Sequence, residues 1–158
     1  MSNQQSAKNI SGHQPPVQDQ QPPGLQSELK GPDPQSQHVP SEDGGYKIYK
    51  AAGKLKDKSA IITGGDSGIG RATAILFAME GADSLIAYLP EEESDAQETK
   101  KKVEEQGRKC YLLATDLTKK ENCQKVIDTA IEKLGKIDIL FNNHAYQMMV
   151  EDIKDLSE

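Results

Sequence analysis

No apolar run among these 158 residues approaches the roughly 18 needed to span a bilayer, and the polar N-terminus lacks the apolar segment of a secretory signal. A cytoplasmic protein that touches no membrane is expected. Cysteine is scarce: Cys110 and Cys123 are the only two, and their spacing matches no metal-site pattern. They read as reduced thiols, one in a strand and one in a helix, and no metal centre is expected. Positive charge is in deficit too, with 19 Lys and Arg against 25 Asp and Glu for a net charge of -6. An acidic surface attracts neither nucleic acid nor an anionic membrane, so the run Lys100-Lys101-Lys102 reads as a solvated helix face.

Hydrophobic residues make up only 35% of the chain, and the mean hydropathy is -0.70. The shortage is uneven. Residues 1–45 hold seven of the eight prolines, and nine glutamines precede residue 40. Such a segment buries too little apolar surface to offset the entropy of ordering it. Residues 1–45 are therefore expected to be disordered or extended, and 46–158 to form the folded part. The stretch QPPGLQSELKGPDP favours polyproline II, but no P-x-x-P with flanking basic residues stands out, and it reads as a linker or tail.

From Ser59 onward, short apolar runs alternate with longer amphipathic ones. Ser59-Ala60-Ile61-Ile62 predicts a strand buried on both faces, running straight into the glycine loop Gly64-Gly65-Asp66-Ser67-Gly68-Ile69-Gly70. Gly68 to Glu80 predicts a helix, with Ile69, Ala72, Leu76 and Met79 near the 3.6 period and Gly81 as its stop. Strands are predicted over 83–88, 109–114 and 137–141, with a charged, exposed helix over 92–106 between the first two. Before the last strand, Cys123, Val126, Ile127, Ala130, Ile131 and Leu134 form a helical stripe ended by Gly135. The order βαβαβαβ predicts an α/β fold: a doubly wound parallel sheet, Rossmann-like, with helices on both faces and right-handed connections. Four strands are only the first part of such a fold, so it is expected to be incomplete; a further unit barely starts at Asp152.

Strand, glycine loop and helix in that order point to a dinucleotide. Gly64 lets the chain turn off the strand, Gly68 lets backbone approach a pyrophosphate, and Gly70 lets the helix pack on the sheet. Free N–H groups and the positive end of the helix dipole then face the anion. A Walker-type loop needs Lys and then Ser or Thr after its last glycine, whereas Gly70 is followed by Arg71-Ala72.

The spacing Thr-Gly-x-x-x-Gly-x-Gly, from Thr63 to Gly70, resembles the short-chain dehydrogenase/reductase family. Asp116-Leu117 resembles the family's Asp-Val/Leu pair, which lies against the adenine, and Asn142-Asn143-His144-Ala145 resembles its Asn-Asn-Ala-Gly turn. With its Pro/Gln-rich extension, the chain is similar to a subgroup that includes bacterial general-stress oxidoreductases. The resemblance implies NAD or NADP as cofactor and hydride transfer between nicotinamide and a carbonyl or alcohol. It places the dinucleotide on Gly64, Asp66, Ser67, Gly68, Ile69, Gly70, Tyr88, Asp116, Leu117 and Asn143, and implies a homo-oligomer for full-length members. Tyr88 stands where an acidic residue would select NAD and neighbouring Arg would select NADP, so both stay open. Glu91, Glu92 and Glu93 read as solvated. Two departures stand out: His144 where the family has Ala, and Leu29-Lys30-Gly31-Pro32 in place of Met-rich wording in the extension.

The family's chemistry uses a Ser and a Tyr-x-x-x-Lys placed beyond the Asn-Asn-Ala-Gly turn, the ammonium lowering the tyrosine pKa. Tyr46 and Lys50 have that interval but precede the first strand, and Tyr146 has Val150 where Lys is required. No catalytic residue is therefore assigned. The expected function is an oxidoreductase represented by a truncated chain, inactive alone and acting on a substrate only in a full-length form. The alternative is a dinucleotide-binding module without turnover.

Overall fold

The computed structural model describes residues 24–28, 37–42, 44–145, 152 and 154. Two short strands, β1 (His38–Pro40) and β2 (Tyr46–Ile48), form an antiparallel hairpin ahead of the main sheet. Then come β3 (Ser59–Thr63), α1 (Gly68–Met79), β4 (Asp83–Tyr88), a 3-10 turn at Pro90–Glu92 and α2 (Glu93–Glu104). β5 (Cys110–Ala114), α3 (Lys120–Leu134) and β6 (Ile139–Phe141) follow. A separate 3-10 turn covers Gln26–Glu28.

The sheet is parallel throughout, in the order β5-β4-β3-β6. Side chains alternate across a strand, and β3 shows it directly. Ala60 and Ile62 join Ala74, Ala78, Ile86, Ala96 and Val103 on the face covered by α1 and α2. Ile61 joins Leu85, Ala87, Val126 and Ala130 on the face covered by α3. The chain steps outward from β3 through β4 to β5, then returns to the other side of β3, and right-handed crossovers in opposite directions place their helices on opposite faces. The reversal leaves a switch point between β3 and β6, where ligands of such sheets bind.

Three local expectations are corrected. α2 is not an exposed helix: Asp95, Ala96, Thr99 and Val103 are buried on its inner face, because it lies against α1 and β5. The Lys run on its outer face forms i,i+4 ion pairs, Lys100 with Glu104 and Lys102 with Glu98. The α3 stripe is only half covered. Val126 and Ala130 are buried while Ile127 and Ile131 stay exposed, since β6, on that flank of the sheet, is only three residues long. β6 itself starts at Ile139, because Asp138 is engaged beneath the sheet: its N–H donates to the Ser59 carbonyl and its carboxylate accepts the Ser59 N–H, both at 2.9 Å.

Residue 45, the division read from composition, falls in the turn of the β1–β2 hairpin. Tyr49 and the residues after it fasten to the end of α1. Glu80, buried there, accepts hydrogen bonds from the Tyr49 hydroxyl and from the backbone N–H groups of Ala52 and Lys54. The two cysteines differ sharply. Cys110 is buried in β5, which pushes its thiol up to about 11, whereas Cys123 is exposed on the first turns of α3. Among the described residues no helix is long and apolar enough to cross a membrane, and no cluster of His, Cys, Asp and Glu could hold a metal ion.

Candidate functional site

A cleft of about 590 Å³ opens at the C-terminal ends of β3, β4 and β6, over the switch point. Of the residues singled out in the sequence, Gly64, Asp66, Ser67, Gly68, Ile69, Tyr88, Leu117 and Asn143 line it. Gly70 and Asp116 do not. Gly24, Ala87, Leu89, Glu92, Thr115, His144 and Ala145 complete the lining; of these only Glu92, in the acidic run, and His144 and Ala145, in the turn after β6, were singled out by the sequence.

The glycines divide their work. Gly64 and Gly68 have φ values of +61° and +51°, a region L side chains rarely adopt. A Cβ on Gly68 would meet nothing within 4 Å, so this glycine faces open cleft at the start of α1. A Cβ on Gly70 would lie 1.9 Å from the Gly64 carbonyl oxygen and 2.8 Å from Asn143 Nδ2. Gly70 therefore lets the helix close on its own loop, not on the sheet as expected. The glycine that meets the sheet is Gly65, whose Cβ would stand 2.8 Å from Ile86 Cγ2.

Two networks hold the loop. On one side, Asn143 Nδ2 donates to the carbonyls of Thr63 and Gly64, at 3.1 and 2.9 Å. The Thr63 hydroxyl accepts the N–H groups of Asn143 and His144, which locks the chain after β6 to the end of β3. On the other side, buried Arg71 reaches from α1 under the loop. Its Nε donates to the Asp66 carbonyl at 2.8 Å, and its guanidinium pairs with Asp95 at 3.1 Å. Thr99 donates its hydroxyl to the same Asp66 carbonyl.

Tyr88 and the acidic run behave differently from expectation. Tyr88 is buried, and its hydroxyl donates to Glu93 at 2.5 Å. Burial and then the Glu93 carboxylate raise its pKa, so it stays protonated. Glu92 is half-buried in the cleft lining and accepts the Leu89 N–H at 3.1 Å; it is not simply solvated. Burial raises its pKa, and the charge of Asp66 adds to the effect. Asp66 is itself raised by burial. Asp116 organises the next turn: its carboxylate accepts the N–H and hydroxyl of Thr118, which hold its pKa below the usual range. The flanking Thr115 and Leu117 reach the cleft. Tyr46 and Lys50 are exposed at the lead-in hairpin and are not part of the lining. Tyr146, the Leu29–Pro32 stretch and most of the unit starting at Asp152 lie outside the described residues.

A family model described as short chain dehydrogenase matches residues 58–158. The chain belongs to the short-chain dehydrogenase family. It is 47% identical over 135 residues to General stress protein 39 of Bacillus subtilis, covering 85% of this chain and 44% of that protein. Among solved structures it resembles a short chain dehydrogenase from Burkholderia cenocepacia in complex with NADP, at a TM-score of 0.59 and 33% identity. That match covers 66% of this chain and 42% of the other. A short chain dehydrogenase from Mycobacterium paratuberculosis bound to NAD matches at a TM-score of 0.55 and 31% identity, covering 60% of this chain and 39% of that one. The chain spans about half the length or less of the curated relatives it matches.

Proposed function

We propose that these residues form the dinucleotide-holding half of an NAD(P)-dependent oxidoreductase that works on a carbonyl or alcohol. The observation that carries this reading is the open cleft over the switch point, with Gly68 and the N-terminus of α1 facing it. Its fit to the group rests on the chain's own chemistry. The backbone at Gly68 has no Cβ to keep an anion away, and the first N–H groups of a helix have no partner within it.

The bound dinucleotide would supply the hydride, or accept it. The residues described here would hold and orient it. Ile69 and the α1 N-terminus take the pyrophosphate, with Gly68 leaving room for it and its own N–H held by the Gln26 side chain; Ser67 and Glu92 stand toward the adenosine side, and Leu117 offers an apolar wall to the adenine. Asn143 sets the loop by fixing the Gly64 carbonyl. Asp116 serves by shaping the turn that presents Leu117.

Proton transfer falls to residues placed after β6. The sequence carries one Tyr-x-x-x-Lys, at Tyr46, and it lies away from the cleft. These 158 residues are read as holding the dinucleotide without themselves carrying out the proton transfer. That same feature supports a second reading, a dinucleotide-binding module that never turns over.

Thermal melts with NAD and NADP test the proposal. A dinucleotide at a hundredfold excess over its Kd is expected to stabilise the fold by about 2.7 kcal/mol. No shift with either would overturn it. Extending the chain past residue 158 and assaying with aldehydes, ketones and alcohols separates the two readings, since a module stays silent.

A further inference from the structure

The short 3-10 turn at Gln26–Glu28 belongs to the Pro/Gln-rich stretch that composition alone reads as a tail. It nevertheless makes two contacts across the chain, one onto the glycine loop at the start of α1 and one onto α2. The Gln26 side-chain carbonyl accepts the N–H of Gly68 at 2.7 Å. The Gln26 backbone N–H donates to Asp95 Oδ2, also at 2.7 Å. Asp95 Oδ1 holds Arg71, whose Nε in turn holds the Asp66 carbonyl. One carboxylate therefore fastens both the loop and the extension. Gly24, two residues earlier, stands in the cleft lining with no side chain to fill it.

A three-residue 3-10 turn has too few internal bonds to persist alone, so its position is set by these contacts. With the segment in place the cleft still measures about 590 Å³, within the usual range for a small-molecule site. The segment acts as a wall and not as a plug.

We propose that residues 24–28 are a strap that closes one side of the dinucleotide site, with Gln26 as a positioning residue that holds it against Gly68. The inference rests on the dinucleotide reading above. Gly68, Ile69 and Glu92 lie beside the α1 N-terminus and the end of β4, the region that takes the adenosine diphosphate half of such a ligand. The strap therefore acts on that half and not on the nicotinamide half.

The test is calorimetry on the whole 158-residue chain and its Gln26→Ala variant, using NAD, ADP-ribose and nicotinamide mononucleotide as probes. Circular dichroism checks that the variant is folded, which is expected because Gln26 contributes nothing to either core cluster. NAD and ADP-ribose are expected to bind the variant about tenfold more weakly, because the hydrogen bond that holds the strap in place before the ligand arrives is lost and binding must order the segment itself. Nicotinamide mononucleotide should bind the two chains equally. Hydrogen exchange gives a second readout: ADP-ribose should slow exchange in the peptide containing residues 24–28 of the wild type. Wild-type binding that is unchanged or tightened by Gln26→Ala overturns the strap alone, tightening marking Gln26 as a competitor for the anion. A wild type that binds none of NAD, NADP and ADP-ribose overturns the dinucleotide reading and the strap with it.

Discussion

The Arg71 guanidinium lies 3.1 Å from the Asp95 carboxylate, and both side chains are about 95% buried. Removing one partner of a buried pair leaves the other charge uncompensated, which costs about 3–5 kcal/mol. Arg71→Met is expected to lower stability to urea by that amount and to loosen the loop, since the Asp66 carbonyl also loses its Nε donor. The double variant Arg71→Met with Asp95→Leu should recover part of the loss. Urea titrations of the two singles and the double give the coupling directly.

Gly68 and Gly70 should fail in different ways. Gly70→Ala places a methyl 1.9 Å from the Gly64 carbonyl, so it should lower the melting temperature of the free chain. In Gly68→Val the Cβ meets no protein atom within 4 Å, but the residue has to adopt φ +51° and to stand in the cleft. It should abolish stabilisation by a dinucleotide while costing the free fold about 1–3 kcal/mol of backbone strain. Melting curves with and without NAD or NADP distinguish the two, and an undiminished ligand shift in Gly68→Val would remove the cradle assignment.

Glu80 gives the fold an acid-labile clasp. The Tyr49 hydroxyl, then the Lys54 and Ala52 N–H groups and the Lys54 charge, hold its carboxyl below its ordinary value of 4.5. A depressed folded pKa means stability that is fully present above the unfolded value and is lost as pH falls through the folded one. Thermal stability should therefore decline below about pH 4.5, and Glu80→Gln should flatten that part of the profile while lowering stability at neutral pH. Melting curves between pH 3 and 7 check both arms.

The carboxylates at the cleft bear on cofactor choice. Asp66 and Glu92 both line it, and a 2′-phosphate brought beside them meets like charge. NAD is expected to bind more tightly than NADP by at least about tenfold, or 1.4 kcal/mol, and Glu92→Gln should narrow the gap. Both groups have raised pKa values, with burial the main cause, so their charged forms prevail only above the ordinary carboxylate range. NADP affinity relative to NAD should accordingly rise as pH is lowered into the range where these carboxyls take up protons, and parallel titrations of the two nucleotides would show it.

Sequence pattern and structure agree best where the information is local. The strands at Ser59–Thr63 and Asp83–Tyr88 and the helix from Gly68 follow from unbroken apolar runs, a 3.6 period and a terminal glycine. The glycine loop was legible for the same reason, as spacing within eight residues. What escaped is long-range. Arg71 and Asp95 are 24 residues apart, and Gln26 meets Gly68 across 42 and Asp95 across 69. A buried arginine has no periodic signature, and α2 looks polar all round because its buried face is built on Asp95 and Thr99 beside Ala96 and Val103. Gly70 was legible as a required glycine, but the surface it meets became visible only once the Gly64 carbonyl and Asn143 were placed.

The contrast between the two thiols makes the molecule addressable at one point without any substitution. Cys110 is sealed in β5 and held protonated, so a thiol-selective dye at neutral pH should react with Cys123. Its sulfur lies 3.5 Å from the carbonyl of Leu117, a residue of the cleft lining. A fluorophore attached there becomes a native reporter of whether the cleft is filled.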